Sequence, residues 1–203
     1  MNTTDAIVTF QVEAGIRPEH RIRAAQGYWR AFSRKLRYPL GPEVKAVSFI
    51  ERCLDPSHAI SAVSDTGGFL GVAGFKTQDG ALVGGGFKDL TQTYGVVSAT
   101  FRALMIAVLE RECAEKTLLM DGIFVEPDAR GQGVGKALLH SVEERAVSLG
   151  LEWIRLDVVD TNPRARALYD RQGYREKSVR SLGPLAGVFG FSHATEMTKS
   201  VGG

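Results

Sequence analysis

Cysteine is scarce. Cys53 and Cys113 are the two in 203 residues, which excludes a multi-disulfide scaffold. No CxxC pair or spaced Cys/His set is present, so no metal site is expected. Each cysteine sits in an apolar-periodic stretch, where a small, buried, reduced side chain is expected. Histidine is sparse too. His20, His58, His140 and His193 are scattered, and only His140 has carboxylates nearby, Glu143 and Glu144. Excess charge is lacking: a net charge of +2 excludes a polyanion binder by overall composition. A bilayer-length apolar run is missing as well. The most apolar stretch, Val96–Leu109, holds Arg102 and falls short of the roughly 20 residues a span needs. The N-terminus lacks the basic start and apolar run of a signal peptide, so a cytoplasmic protein is expected. No repeat, linker or low-complexity tract interrupts the chain.

The length suits one domain, and 44% hydrophobic residues with 24% charged allow an ordinary core. A first strand is expected over Ala6–Val12. A helix should open at Pro18 and run to about Arg37, ended by Tyr38-Pro39-Leu40-Gly41-Pro42. Pro42 then starts a second helix carrying Val44, Val47, Phe49, Ile50 and Leu54. Ala59–Val63 and Phe69–Phe75 read as a hairpin around Asp65-Thr-Gly-Gly68. Asp79-Gly80 and Gly84–Gly86 form a hinge before a helical segment from Leu90 to about Glu112. Leu118–Val125 is a strand, Val134–Leu149 an amphipathic helix, and Trp153–Val159 a strand. A helix begins at Asn162-Pro163 and ends near Gly173. Strands near Tyr174–Ser181 and His193–Val201 close the chain. This order implies a mixed sheet flanked by helices, an α/β or α+β fold.

Chemistry is densest at Arg130-Gly-Gln-Gly-Val-Gly-Lys136. A strand runs into a loop with glycine at every second position, and a helix starts inside it. The first helical turn leaves backbone N–H groups unpaired and partly positive, and glycines let a phosphate approach them. The spacing fails GxxxxGK[ST], because Arg130 stands where the first glycine belongs. It also fails GxGxxG, because the glycines are 131, 133 and 135.

Arg130, Gly133 and Gly135 match Gln/Arg-x-x-Gly-x-Gly/Ala, the signature of the GCN5-related N-acetyltransferase (GNAT) family. Asn162-Pro-Arg-Ala-Arg-Ala-Leu168-Tyr169-Asp-Arg-Gln-Gly173-Tyr174 is similar to the family's second stretch. The resemblance covers residues 118–175. It implies the acyl-CoA N-acyltransferase fold: a mixed, mostly antiparallel sheet with two central splayed parallel strands flanked by helices. It also implies acetyl-CoA as co-substrate, with no metal. Main-chain groups of Ile123 and Val125 would pair with the pantetheine arm, which Asn162 would also touch. The amides of Arg130, Gly131, Gln132, Gly133, Val134 and Gly135, beside Lys136, would hold the pyrophosphate. A backbone N–H near Phe124 or Val125 would polarise the acyl carbonyl. Tyr169 occupies the position from which the family's tyrosine reaches the thioester sulfur. A tyrosine with pKa near 10 can donate a proton at neutral pH. Arg164 and Arg166 are candidates for the 3′-phosphate.

Two strand carboxylates are candidates for the base that takes the amine's proton. Asp121 has the parity of Ile123 and Val125; Asp157 is opposite in parity to Ile154, Leu156 and Val158. A carboxylate inside a strand is costly to bury without a partner. Glu126 reads as a solvated turn residue.

Direct attack by a small-molecule primary amine in a ternary complex is the leading expectation. Alternatives are a protein lysine or N-terminal acetyltransferase and a non-catalytic acyl-CoA-binding module. Two features bear on the acceptor. Arg17–Arg37 holds seven Arg/Lys against one Glu, read as a solvated helix face or a site for an acidic partner. Nucleic acid is a poor fit, since only that stretch would support it. Residues 78–116 form an atypical helical insertion in a single domain spanning 1–203, expected to cap the acceptor pocket or build a homodimer contact.

Overall fold

The computed structural model describes residues 9–202. Seven strands form one sheet in the order β1-β2-β3-β4-β5-β7-β6. They are β1 (Phe10–Ala14), β2 (Ala59–Ser64), β3 (Phe69–Lys76), β4 (Thr117–Val125), β5 (Trp153–Val159), β6 (Arg175–Ser181) and β7 (His193–Ser200). Every neighbouring pair is antiparallel except β4 and β5, which run parallel. This is the expected mixed sheet. The first strand lies a few residues later than expected, and Ala6–Val8 fall outside the described residues.

The sheet is covered on both faces. On one, α5 (Val134–Ser148) turns Val134, Leu138, Val142 and Ala146 inward, a stripe at four-residue spacing. They pack with Leu118, Met120, Ile154, Leu156 and Met197, and with Tyr169 and Tyr174. Helix α6 (Pro163–Arg171) flanks this core.

On the other face lie α1 (Arg21–Leu40), α2 (Glu43–Cys53), α3 (Phe87–Tyr94) and α4 (Val96–Leu109). Their core joins Ala24, Ala25, Tyr28, Trp29, Phe49 and Ile50 to Phe69, Val72 and Phe124 of the sheet. A short helix, α7 (Ala186–Phe189), precedes β7.

Helix α1 passes through the break expected at 38–42, with Pro39 in its last turn. Side chains of the insertion hold that end. Arg102 donates to the carbonyls of Pro39 (3.0 Å) and Tyr38 (3.2 Å), and the Tyr94 hydroxyl donates to that of Leu40. Carbonyls left over at a helix C-terminus are thereby satisfied. The single helix expected over 90–112 is two, separated by Gly95 at φ 78°. The insertion does not bury all its apolar surface. Val97, Phe101 and Leu104 of α4 are 89%, 65% and 67% exposed, because the core takes the opposite side of the helix. Both cysteines are partly rather than fully buried.

Helix α1 crosses β4 through a reciprocal pair of small residues. A Cβ built on Gly27 would lie 2.0 Å from the Phe124 ring, and one on Gly122 would lie 2.5 Å from the Phe32 ring. Each glycine makes room for an aromatic ring on the other element. Gly27→Val is therefore expected to destabilise the protein by about 1–3 kcal/mol through overpacking. A lower urea midpoint with an unchanged m value would show it; an unchanged midpoint would mean the crossing is looser.

Candidate active site

The two parallel strands are the middle of the sheet and the place where it opens. Pairing between β4 and β5 runs only from Thr117–Trp153 to Met120–Leu156. Beyond that point β4 stays bonded to β3 as far as Val125, and β5 to β7 as far as Val159. The strands diverge, as the resemblance implied. The stretch through Ile123, Phe124 and Val125 thus presents a backbone edge with no strand opposite. Such an edge can pair with an extended chain.

The glycine loop stands at the end of β4. A 3-10 turn at Pro127–Ala129 leads into Arg130. Gly131 and Gly133 have φ of 83° and 86°, a left-handed conformation that suits glycine. A Cβ at either would meet nothing within 4 Å, so conformation and open space, not crowding, call for glycine. Gly133 caps α5, which begins at Val134. Among the described residues the amides of Gly131, Gly133, Val134, Gly135 and Lys136 donate no hydrogen bond. They form a donor set at a helix N-terminus, suited to an anion. The loop is braced from behind: Arg130 Nε donates to the Val125 carbonyl (3.1 Å) and Gln132 Nε2 to that of Asp128 (2.9 Å). Gly135 faces Leu168 and Val125, where α5, α6 and β4 meet.

Asn162 caps α6, its Oδ1 accepting from the Ala165 amide at 3.1 Å. Tyr169 is buried in the α5-side core, its ring centroid 5.9 Å from that of Tyr174. Burial holds its hydroxyl pKa well above the ordinary value, and that hydroxyl makes no hydrogen bond among the described residues. Arg166 is bound to Glu176 (2.6 Å) and Thr195 (3.2 Å), while Arg164 is exposed. Glu126 is not a solvated turn residue. It is partly buried and forms an ion pair with Arg30 at 2.8 Å.

The parity assigned to Asp121 is corrected. Gly74 of β3 pairs with Gly122 and Phe75 with Met120, so Asp121 is the extra residue of a β-bulge. A bulge leaves one residue unpaired and resets the alternation of faces. Leu118, Met120, Ile123 and Val125 all join the α5-side core, whereas Gly122 faces Phe32 of α1. Asp121 lies toward α1 instead. Burial pushes its carboxyl up, against the lowering pull of Lys35 and Lys76. Burial also pushes Tyr28 up strongly, with Asp121 adding to it. Asp157, by contrast, is engaged by Arg111 (3.0 Å) and Arg155 (3.5 Å). Both oxygens of that carboxylate are thus engaged by guanidiniums.

Four residues here were not singled out in the sequence. Tyr28, Phe32 and Lys35 recur at i, i+4 and i+7 on one face of α1, and Arg111 comes from the end of the insertion. Burial lowers the Lys35 pKa, partly countered by Asp121. In the sequence Lys35 is one of seven cations in the basic stretch, and much of that stretch is used internally. Arg17 pairs with Glu13 at 2.9 Å, and Arg21 donates to the Glu51 and Leu54 carbonyls at the end of α2. Leu36, Met105 and Leu109 gather with Phe189, Phe191 and Val159, an apolar wall between α1, the insertion and the β6–β7 connection. Among the described residues no helix is long and apolar enough to cross a membrane.

Comparison with known proteins agrees with this geometry. The profile of the Acetyltransferase (GNAT) family matches residues 23–174. A thialysine N-epsilon-acetyltransferase of Bos taurus is 36% identical over 61 residues, covering 30% of this chain and 36% of that protein. The chain thus matches little more than a third of that relative's length. An N-acetyltransferase from Staphylococcus aureus Mu50 shares the fold with a TM-score of 0.65 at 15% identity, over 93% of this chain and 100% of that one. A GCN5-related N-acetyltransferase from Kribbella flavida has a TM-score of 0.64 at 18% identity, over 95% and 98%. The chain belongs to the GNAT acetyltransferase family.

Proposed function

We propose that this GNAT protein transfers an acetyl group from acetyl-CoA to the primary amine of a small molecule, by direct attack in a ternary complex. The reading is carried by one juxtaposition: the strands part beside a loop of unbonded amides, and Asp121 bulges toward the opposite side of the same opening. The loop amides receive the pyrophosphate, the edge of β4 pairs with the pantetheine arm, and Asn162 reaches it from the cap of α6. A β4 amide near Phe124 or Val125 donates to the carbonyl oxygen as it gains negative charge. The amine nitrogen bonds to the thioester carbon, Asp121 takes the amine's proton directly or through water, and the C–S bond breaks. Tyr169 then protonates the departing thiolate. No metal is needed for this sequence.

Asp121 is preferred to Asp157 because its carboxylate is not tied up and burial makes it more basic. A small acceptor is preferred to a peptide because Leu36, Met105, Leu109, Phe189 and Phe191 wall the acceptor side. On this reading the insertion at 78–116 caps that pocket within a single domain. The relative that acts on thialysine also modifies a small-molecule amine.

The test is thiol release from acetyl-CoA across a panel of small amines and peptides. Turnover of small amines supports the reading. Peptide-only turnover would replace the acceptor class, and tight cofactor binding with no turnover would leave a binding module. The loop has its own test. Gly133→Ala forces a side chain into a left-handed conformation that costs about 1–2 kcal/mol and tilts the amides away. CoA affinity measured by calorimetry is expected to fall about tenfold; an unchanged Kd would detach the loop from the cofactor.

A further inference from the structure

We propose that Lys35 and Asp121 together select an acceptor carrying a carboxylate beside its amine, an amino acid or close analogue, with Asp121 receiving the amine and Lys35 the carboxylate. This rests on the transferase reading above and adds the acceptor's chemical class.

Several charges around the opening are already paired. Arg111 is bound to Asp157 at 3.0 Å, and Arg155 reaches both Asp157 (3.5 Å) and Glu196 (3.3 Å). Lys76 is bound to Glu110 at 3.2 Å and donates to the Arg111 carbonyl. Lys35 and Asp121, of opposite sign, have no such partner among the described residues. Lys35 and Asp121 are close enough to influence each other's ionisation. Yet no ion pair within 4 Å joins them, and among the described residues neither makes a hydrogen bond. The Tyr28 hydroxyl, on the same face of α1, is also unbonded.

Buried polar groups are normally hydrogen-bonded, and buried charges are normally paired. A half-buried cation and a half-buried anion that stand apart form a gap with complementary ends. A zwitterion fits it: its ammonium satisfies Asp121 and its carboxylate satisfies Lys35. A simple amine would leave Lys35 unmatched. The placement is built into the backbone. The bulge at Asp121 turns the carboxylate toward α1. The interlocked Gly27–Phe124 and Gly122–Phe32 contacts fix the height of α1 above β4, and Lys35 follows Phe32 by one turn. The rings of Tyr28, Phe32 and Phe124 make the surroundings apolar, which strengthens both charge contacts.

The experiment compares acceptors that differ only in the carboxylate: lysine with cadaverine, phenylalanine with phenethylamine, serine with ethanolamine. Wild-type enzyme should favour the carboxylated member of at least one pair. A charge-assisted contact is worth enough that, at a pH above the acid limb of both enzymes, Lys35→Met should lower kcat/KM for that member about 10–100-fold, mainly through KM, with its partner amine within about threefold. Lys35→Arg should recover much of the loss. Preference for the plain amine in every pair, or equal loss on both members with Lys35→Met, would overturn the assignment while leaving the transferase reading intact. Failure of every acceptor to release thiol, with acetyl-CoA binding intact, would overturn the transferase reading and this one with it.

Discussion

Tyr169→Phe is expected to lower kcat by about 10²-fold or more, the usual contribution of a positioned proton donor, with the KM for acetyl-CoA almost unchanged. Three observations set this expectation. Tyr169 lies in α6, after the Asn162 cap and beside the glycine loop through Leu168 and Gly135. Burial holds its hydroxyl in the protonated form across the working pH range, so it is a donor and not a base. The hydroxyl has no partner among the described residues. Its removal therefore breaks no internal bond, and the ring's packing against Tyr174 survives in phenylalanine. The melting temperature should hardly move. A large loss of kcat with an intact fold and intact CoA binding would identify the proton donor. Retained kcat would mean that the thiolate leaves without help from this residue. A pH profile adds a check: no alkaline limb from Tyr169 should appear at or below its ordinary pKa of about 10.

What the sequence made legible were features with a period or a fixed spacing. The stripe Val134, Leu138, Val142, Ala146 and the strand Trp153–Val159 are local patterns, and the structure forms them almost as read. The glycine loop and the Asn162 cap are equally local. The acceptor side was not legible, because its geometry arises between elements. The bulge at Asp121 is a property of the register between β3 and β4. Alternation within β4 alone gives the opposite face. The extension of α1 through Pro39 depends on Arg102 and Tyr94, more than fifty residues away. Lys35 looked like one cation among seven, because nothing local shows that Arg21 and Arg30 find partners elsewhere. The Tyr28–Phe32–Lys35 spacing was a usable signal. It acquires meaning only once α1 is known to cross β4.

Asp121→Asn should move activity and stability in opposite directions. As the base, Asp121 should contribute about 10²–10⁴-fold to kcat, and asparagine cannot accept the proton. Stability follows from the raised pKa. Between the ordinary carboxyl value of 3.8 and the higher folded value, the folded protein holds a proton that the unfolded chain has released. Stability therefore falls as pH rises through that window, and the cost is fully present above it. Asparagine resembles the protonated acid and escapes this cost, even though Lys35 and Lys76 already offset part of it. The variant should thus be more stable than wild type near neutrality, with the advantage vanishing below about pH 4 as both states of the wild type become protonated. Urea denaturation at the two pH values would show this. A structural carboxylate would instead lose stability together with activity. The kinetic counterpart lies in the acid limb of kcat/KM, which Asp121 sets on this assignment. Lys35 pulls the carboxyl down, so Lys35→Met should shift that limb to higher pH for carboxylated and plain amines alike. A limb that stayed in place would show that another group takes the proton.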